Sequence, residues 1–199
     1  MEPPHRNHRL FVALEPTEAV RRRISAAVAA LRRAGGRAAS DVRWLPPENV
    51  HLTLQFLGAV PHARVAGVTA AVAACAAAAA GPLSLEVRGA GGFPNARRAR
   101  VVWLGLAGDV AALAALVQDL GRRLAPLGFA PEERAFSPHL TVGRAREARG
   151  SPGLAGALAE VAQEDGIAWR AGELVLFESH LSPKGPRYEA LARAPLLGA

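Results

Sequence analysis

Apolar positions in this chain fall into short runs and strict alternations, separated by longer stretches of helical character. Residues 9–14, RLFVAL, are almost continuously apolar after Arg9 and predict a short buried strand. Thr17 then caps a helical stretch through about Ala34, with Glu18 in its first turn and Gly35 and Gly36 ending it. VRWL at 42–45 reads as a second strand. Pro46 and Pro47 punctuate, and VHLTLQFLG at 50–58 alternates strongly before closing at Gly58. Pro61 opens an alanine-rich helix that ends at Gly81-Pro82.

The second half repeats the scheme. LSLEVRG at 83–89 and RVVWLGL at 100–106 predict strands, with Gly91 and Gly92 as turn residues between them. A helix follows from about Asp109 to Ala125, HLTVGR at 139–144 alternates as a strand, and a helix spans Leu154 to Gln163. Two closing strands lie near 172–181 and 187–193. Two segments echo each other, LPPENVHLTLQFLG and RAFSPHLTVGRAR, each a proline-bearing loop leading into His-Leu-Thr. Their histidines stand 88 residues apart, too far for a solenoid repeat, so two similar lobes are expected. No Pro/Ser-rich linker divides them, and residues 1–199 are expected to form one bilobal unit.

Composition narrows the class of protein without naming it. Half of the 199 residues are apolar and 21% are charged, which fits a folded domain. The single cysteine, Cys75, lies in an alanine run, so no disulfide framework or cysteine-based zinc site can form within one chain. No stretch of about 18 apolar residues and no signal-like start is present, which points to a cytoplasmic protein away from membranes. The net charge of +7 is nearly all arginine, Lys184 being the sole lysine. Arginine's planar fork suits phosphate, so a polyanion such as RNA is the favoured partner; a compositional bias toward Arg and Ala explains the charge equally well.

The chemistry lies in the repeated tripeptide. In a strand, His51 and Thr53 share one face while Leu52 and Leu54 share the other, and His139 and Thr141 stand in the same relation to Leu140 and Val142. Each strand thus presents an imidazole beside a hydroxyl. Six histidines and four threonines supply on the order of 0.1 such triplets by chance in a chain of this length. Two copies facing across a cleft would suit phosphodiester hydrolysis, with one histidine as base, the other as acid, and threonine hydroxyls donating to the phosphate oxygens. This division of labour requires no metal and no cofactor.

The paired HLTL and HLTV motifs resemble those of the 2H phosphoesterase superfamily, and more closely the LigT-like, ThpR-type RNA 2′,3′-cyclic phosphodiesterases. The likeness extends through RLFVAL, VRWLPPENVHLTLQFLG, GGFPNARRARVVWLGL, LAPLGFAPEERAFSPHLTVGRAR and LFESHLSPKGPRYEALARAPL. It implies an α+β fold of two pseudo-symmetric αβ lobes, with antiparallel sheets lining a central cleft that holds both histidines. It also implies opening of an RNA 2′,3′-cyclic phosphate end to a 2′-phosphomonoester. On this resemblance His51 and His139 are the acid/base pair, Thr53 and Thr141 bind phosphate, and Arg144 completes an HxTxxR motif. Strict alternation puts Arg144 on the Leu140 face, so a bulge, a strand end or a long reach is required. His139 is assigned as base and His51 as acid.

Other features carry less. Phe56 and Tyr188 are candidates to stack on a base, with a core role as the alternative. Arg97, Arg98 and Arg100 could follow an RNA backbone or simply solubilise a loop. His5 and His8 are placed in a flexible terminus, and His62 and His180 lack partners at metal spacing. Gly89, Gly91 and Gly92 precede no helix, which excludes a dinucleotide-binding loop. A monomer is expected. The same site would also permit RNA 2′–5′ ligation or cleavage of 2′–5′ oligonucleotides, and a non-catalytic RNA-binding module is a further alternative.

Overall fold

The computed structural model describes residues 7–130, 135–182 and 185–198. In chain order the elements are β1 (Asn7–Leu14), α1 (Glu18–Ser40), β2 (Val42–Trp44), β3 (Leu52–Pro61), α2 (His62–Ala77), β4 (Leu83–Phe93) and β5 (Val101–Gly108). Then come α3 (Val110–Leu124), β6 (His139–Ala145), α4 (Ala155–Ala162), β7 (Ile167–Ala171), β8 (Glu173–Ser182) and β9 (Gly185–Pro195). The strands form two antiparallel sheets, one ordered β3-β1-β8-β9 and the other β2-β6-β5-β4-β7.

Burial explains which sequence patterns became which strands. RLFVAL is continuously apolar because β1 is covered on both faces. Leu10, Val12 and Leu14 sit in the main core, while Phe11 and Ala13 join Val175, Phe177 and Tyr188 in a second cluster on the other side of the sheet. Helix α2 packs on the first sheet, touching β1, β3, β8 and β9, and α1 and α4 pack on the second. Thr17 caps α1 as its sequence position suggests, its Oγ1 accepting from the Val20 N–H at 3.4 Å. No helix among the described residues is long and apolar enough to cross a membrane.

Four expectations are corrected. Gly35 and Gly36 do not end α1: Gly36 breaks the helical path at φ 50°, ψ −124°, and the helix resumes to Ser40. Gly91 and Gly92 are not turn residues but lie inside β4, which runs to Phe93. They are glycines because a Cβ at Gly91 would stand 2.4 Å from the Trp103 ring, and one at Gly92 would stand 2.4 Å from the Ala99 Cβ. Strand β7 lies outside the predicted elements; Ile167–Ala171 pairs with β4 and buries Trp169.

The remaining correction concerns His8, expected in a flexible terminus. His8 is buried within β1, its Nε2 lying 3.1 Å from His62 Nδ1 and its Nδ1 3.1 Å from Glu178. His180 approaches Glu178 and Glu189 beside them. His62 and His180 thus have polar partners, a matter separate from the metal spacing considered in the sequence. His5 falls outside the described residues. Cys75 is a buried free thiol, with Sγ 3.8 Å from the Leu116 carbonyl.

Candidate active site

His51 immediately precedes β3 and His139 opens β6, and both motifs obey the alternation read from the sequence. Leu52, Leu54, Leu140 and Val142 are buried in the main core, which turns His51, Thr53, His139 and Thr141 to the opposite, half-open faces. Each imidazole is then fixed by its own main chain. His51 Nδ1 lies 3.0 Å from the Asn49 carbonyl, and His139 Nδ1 lies 2.7 Å from the Ser137 carbonyl. A carbonyl can only accept, so Nδ1 carries the hydrogen in both rings. Nε2 is left as the nitrogen able to accept or donate a proton, without a protein partner among the described residues.

Beyond the threonines, both motif strands carry a bulge. Trp103 pairs with Thr141 and Val102 with Gly143, so Val142 is an extra residue in β6. Arg144 is thereby swung back to the face of His139 and Thr141, which supplies the bulge that alternation required. In β3, Ala13 pairs with Thr53 and Val12 with Gln55, so Leu54 is the extra residue and Phe56 returns to the His51 face. The registers of the two sheets correspond row by row. Thr53, Ala13 and Val175 match Thr141, Trp103 and Gly91; Phe56, Phe11 and Phe177 match Arg144, Val101 and Phe93.

Aromatic rings surround each histidine. The Phe11 centroid lies 4.6 Å from that of His51, Tyr188 meets His51 edge-on at 5.0 Å, and Phe177 lies 6.2 Å away. On the other sheet, Phe93 meets His139 edge-on at 4.9 Å and Trp103 lies at 6.5 Å. Burial among these rings is the main reason the His51 pKa is lowered to about 4; the Arg144 charge pushes it the same way, while the Asn49 carbonyl and Glu15 oppose. Glu15 is held by Arg21 at 2.6 Å and Arg193 at 2.6 Å. Arg144 also acts on Tyr188, whose hydroxyl is pushed up by burial against that charge.

These effects reach across the two sheets. Arg144 belongs to β6 and is felt by His51 and Tyr188 on the first sheet, and β3 and β6 are in contact. Arg144, on the face of β6 that carries His139 and Thr141, thus lies within electrostatic reach of His51 and Tyr188 on the first sheet. Phe56 is 58% exposed, so the core role considered for it does not apply, while Tyr188 is half-buried against Phe11. Phe11, Phe177, Phe93 and Trp103 escaped sequence reasoning because their position depends on strand pairing. For Phe11, Trp103 and Phe177 the one available signal was an aromatic residue inside a predicted strand.

Two facing antiparallel sheets, each delivering a His-x-Thr motif with its imidazole tethered by backbone, define the two-histidine class of phosphoesterases. The chain belongs to the LigT-like phosphoesterase family, whose model, described as "LigT like Phosphoesterase", matches residues 14–103 and again 104–188. Each of the two matches contains one His-x-Thr motif, His51–Thr53 in the first and His139–Thr141 in the second. The chain is 34% identical over 180 residues to an RNA 2′,3′-cyclic phosphodiesterase of Methanothermobacter thermautotrophicus, covering 90% of this chain and 94% of that protein. It is 32% identical to one of Thermotoga maritima, covering 92% of each. Among solved structures, a Thermus thermophilus protein matches with TM-score 0.77 at 26% identity, covering 96% of this chain and 98% of the other. Escherichia coli LigT complexed with 3′-AMP matches with TM-score 0.71 at 26% identity, with 96% and 98% covered.

Proposed function

We propose that this protein hydrolyses RNA 2′,3′-cyclic phosphate ends to 2′-phosphomonoesters by general acid/base catalysis between His51 and His139. The observation that carries the reading is the pair of Nδ1-tethered imidazoles with Arg144 within electrostatic reach of the opposite sheet. The Methanothermobacter thermautotrophicus and Thermotoga maritima relatives, both named RNA 2′,3′-cyclic phosphodiesterase, support the choice of substrate. Water attacks phosphorus opposite the 3′ oxygen. The base removes the water proton, the P–O3′ bond breaks, and the acid protonates O3′, giving a 3′-hydroxyl and a 2′-phosphate.

The expected roles are reversed in this proposal. Burial keeps His51 neutral at ordinary pH, which suits a base, so His51 activates water and His139 protonates the leaving oxygen. Thr53 and Thr141 donate to the non-bridging oxygens, and Arg144 offsets the charge that grows there. Phe56 and Tyr188, on the aromatic side of the cleft, would take the terminal base. Two imidazoles suffice for the proton transfers, so the reaction is metal-independent. One chain carries both motifs, so a monomeric, cytoplasmic enzyme in one bilobal unit completes the proposal.

The test is incubation of a nucleoside 2′,3′-cyclic phosphate with EDTA, followed by identification of the phosphomonoester isomer. Sustained turnover to the 2′-isomer, lost on His51→Ala and on His139→Ala, is expected. Turnover that either variant retains to within about tenfold contradicts the mechanism, since a positioned acid or base contributes about 10²–10⁴-fold.

A further inference from the structure

Arginines in this protein differ in their partners and in where they lie. Arg21, Arg23, Arg123 and Arg193 each rest on a carboxylate. Arg97, Arg98 and Arg100 are exposed and have no carboxylate partner among the described residues. All three lie in the β4–β5 connection, which leaves the sheet at Phe93, the ring packed edge-on against His139. The connection returns at Val101, directly opposite Arg144. These three charges therefore start beside His139 and Arg144 and lead away from them.

This connection is also built rather than loose. Asn95 Oδ1 accepts from the Arg98 N–H at 3.1 Å, and the Arg100 N–H donates to the Phe93 carbonyl at 2.7 Å. Ala99 is fully buried between the arginines, its carbonyl accepting from the Ser151 N–H at 3.0 Å. Gly92 leaves the room Ala99 occupies, since a Cβ there would collide with it. A loop whose only task was solubility would need none of these ties. Pinning the main chain lowers the ordering cost when the guanidinium groups grip a ligand.

We propose that the β4–β5 connection is a backbone track for the RNA chain 5′ of the reacting end, with Arg97, Arg98 and Arg100 holding the next phosphates upstream. The inference rests on the proposed function for its polarity, because the terminal phosphate is placed at His51, His139 and Arg144. Guanidinium forks on a fixed turn fit successive phosphodiesters without reading sequence. The track makes a polynucleotide end a better substrate than a nucleoside cyclic phosphate.

The experiment compares wild type with R97Q/R98Q/R100Q on a nucleoside 2′,3′-cyclic phosphate and on a hexaribonucleotide ending in the same group. The variant should lose at least about tenfold in kcat/KM on the hexamer and stay within about twofold on the nucleoside. Its log–log salt slope on the hexamer should be shallower by about 2, each single-strand phosphate contact contributing about 0.7. Equal losses on both substrates, or none on the hexamer, overturn the track. Fluorescence anisotropy with a labelled hexamer bearing a 2′-phosphate reads binding without turnover. Should neither cyclic end be turned over while the variant binds this probe about tenfold more weakly, the hydrolase reading falls and the track stands. Equal binding by wild type and variant removes the track.

Discussion

Phe56 and Arg144 occupy the same place in the two halves of the cleft. Each lies five residues past its histidine, and each is returned to the histidine's face by a bulge that inserts one residue after the threonine. The backbone duplicates the position, and the side chains make it unlike: an aromatic ring on one sheet, a guanidinium on the other. In the proposed mechanism the symmetric pair of histidines therefore works between unlike walls, one offering a ring to a base and the other a charge to phosphate.

Substitutions at these two positions should separate along kinetic lines. Arg144→Gln removes charge-assisted hydrogen bonds worth about 1.5–3 kcal/mol, so kcat/KM should fall about 10–100-fold with kcat sharing the loss. Phe56→Ala removes a stacking surface worth about 1–3 kcal/mol and should raise KM with kcat held within about twofold. Steady-state kinetics on a nucleoside cyclic phosphate decides the matter; a Phe56→Ala variant impaired chiefly in kcat contradicts the assignment.

Burial of His51 should also make stability depend on pH. Its folded pKa, about 4, lies below the ordinary 6.5, so between these values the unfolded chain binds more protons and stability rises with pH. The contribution is complete above about pH 6.5 and is lost as pH falls toward 4, amounting to ~3 kcal/mol. Urea denaturation across this window should show the decline in wild type and a flatter profile in His51→Phe. Parallel profiles would mean that His51 is not the group responsible.

The same shift predicts the shape of the pH–rate profile. A base with a free-enzyme pKa of about 4 remains competent well below neutrality, so the acid limb of kcat/KM should fall near pH 4 rather than near 6.5. If kcat/KM instead climbs as pH drops from 6.5 toward 4, His51 acts in its charged form and the roles revert to His139 as base.

Gly91 supports the second sheet from beneath the Trp103 ring. Gly91→Ala puts a methyl 2.4 Å from that ring and should cost about 1–3 kcal/mol, or about 2–4 °C in Tm per kcal/mol. Since Trp103 pairs with Thr141, activity should fall as well. Adding Trp103→Leu should recover stability if the collision is the cause, and thermal melts of the single and double variants test it. An unchanged Tm for the single variant would show that the sheet absorbs the methyl freely.

The sequence made the strands and the two motifs legible because period-two alternation around His-Leu-Thr is a local property. Leu52, Leu54, Leu140 and Val142 had to turn inward together, which left the imidazoles and hydroxyls outward. Arg144 shows where local reading stops: a bulge changes the parity of every later residue and is visible only as a register shift against a partner strand. Gly91 and Gly92 misled for a related reason, because glycine demanded by a neighbouring ring resembles glycine demanded by a turn. His8 became a buried partner of His62 and Glu178 through contacts more than fifty residues away, which no window along the chain contains.

The hydrogen bond that fixes the tautomer of each imidazole comes from the main chain, from the carbonyls of Asn49 and Ser137. Backbone atoms survive nearly every point substitution, so the tautomer of each ring is insulated from drift in the surrounding residues, while the pKa of His51 stays tied to the rings that bury it. The lining rings and cations could be exchanged to admit a different nucleotide or chain length while both proton carriers keep their tautomer. A scaffold of this kind can change what it accepts without relearning how to cut.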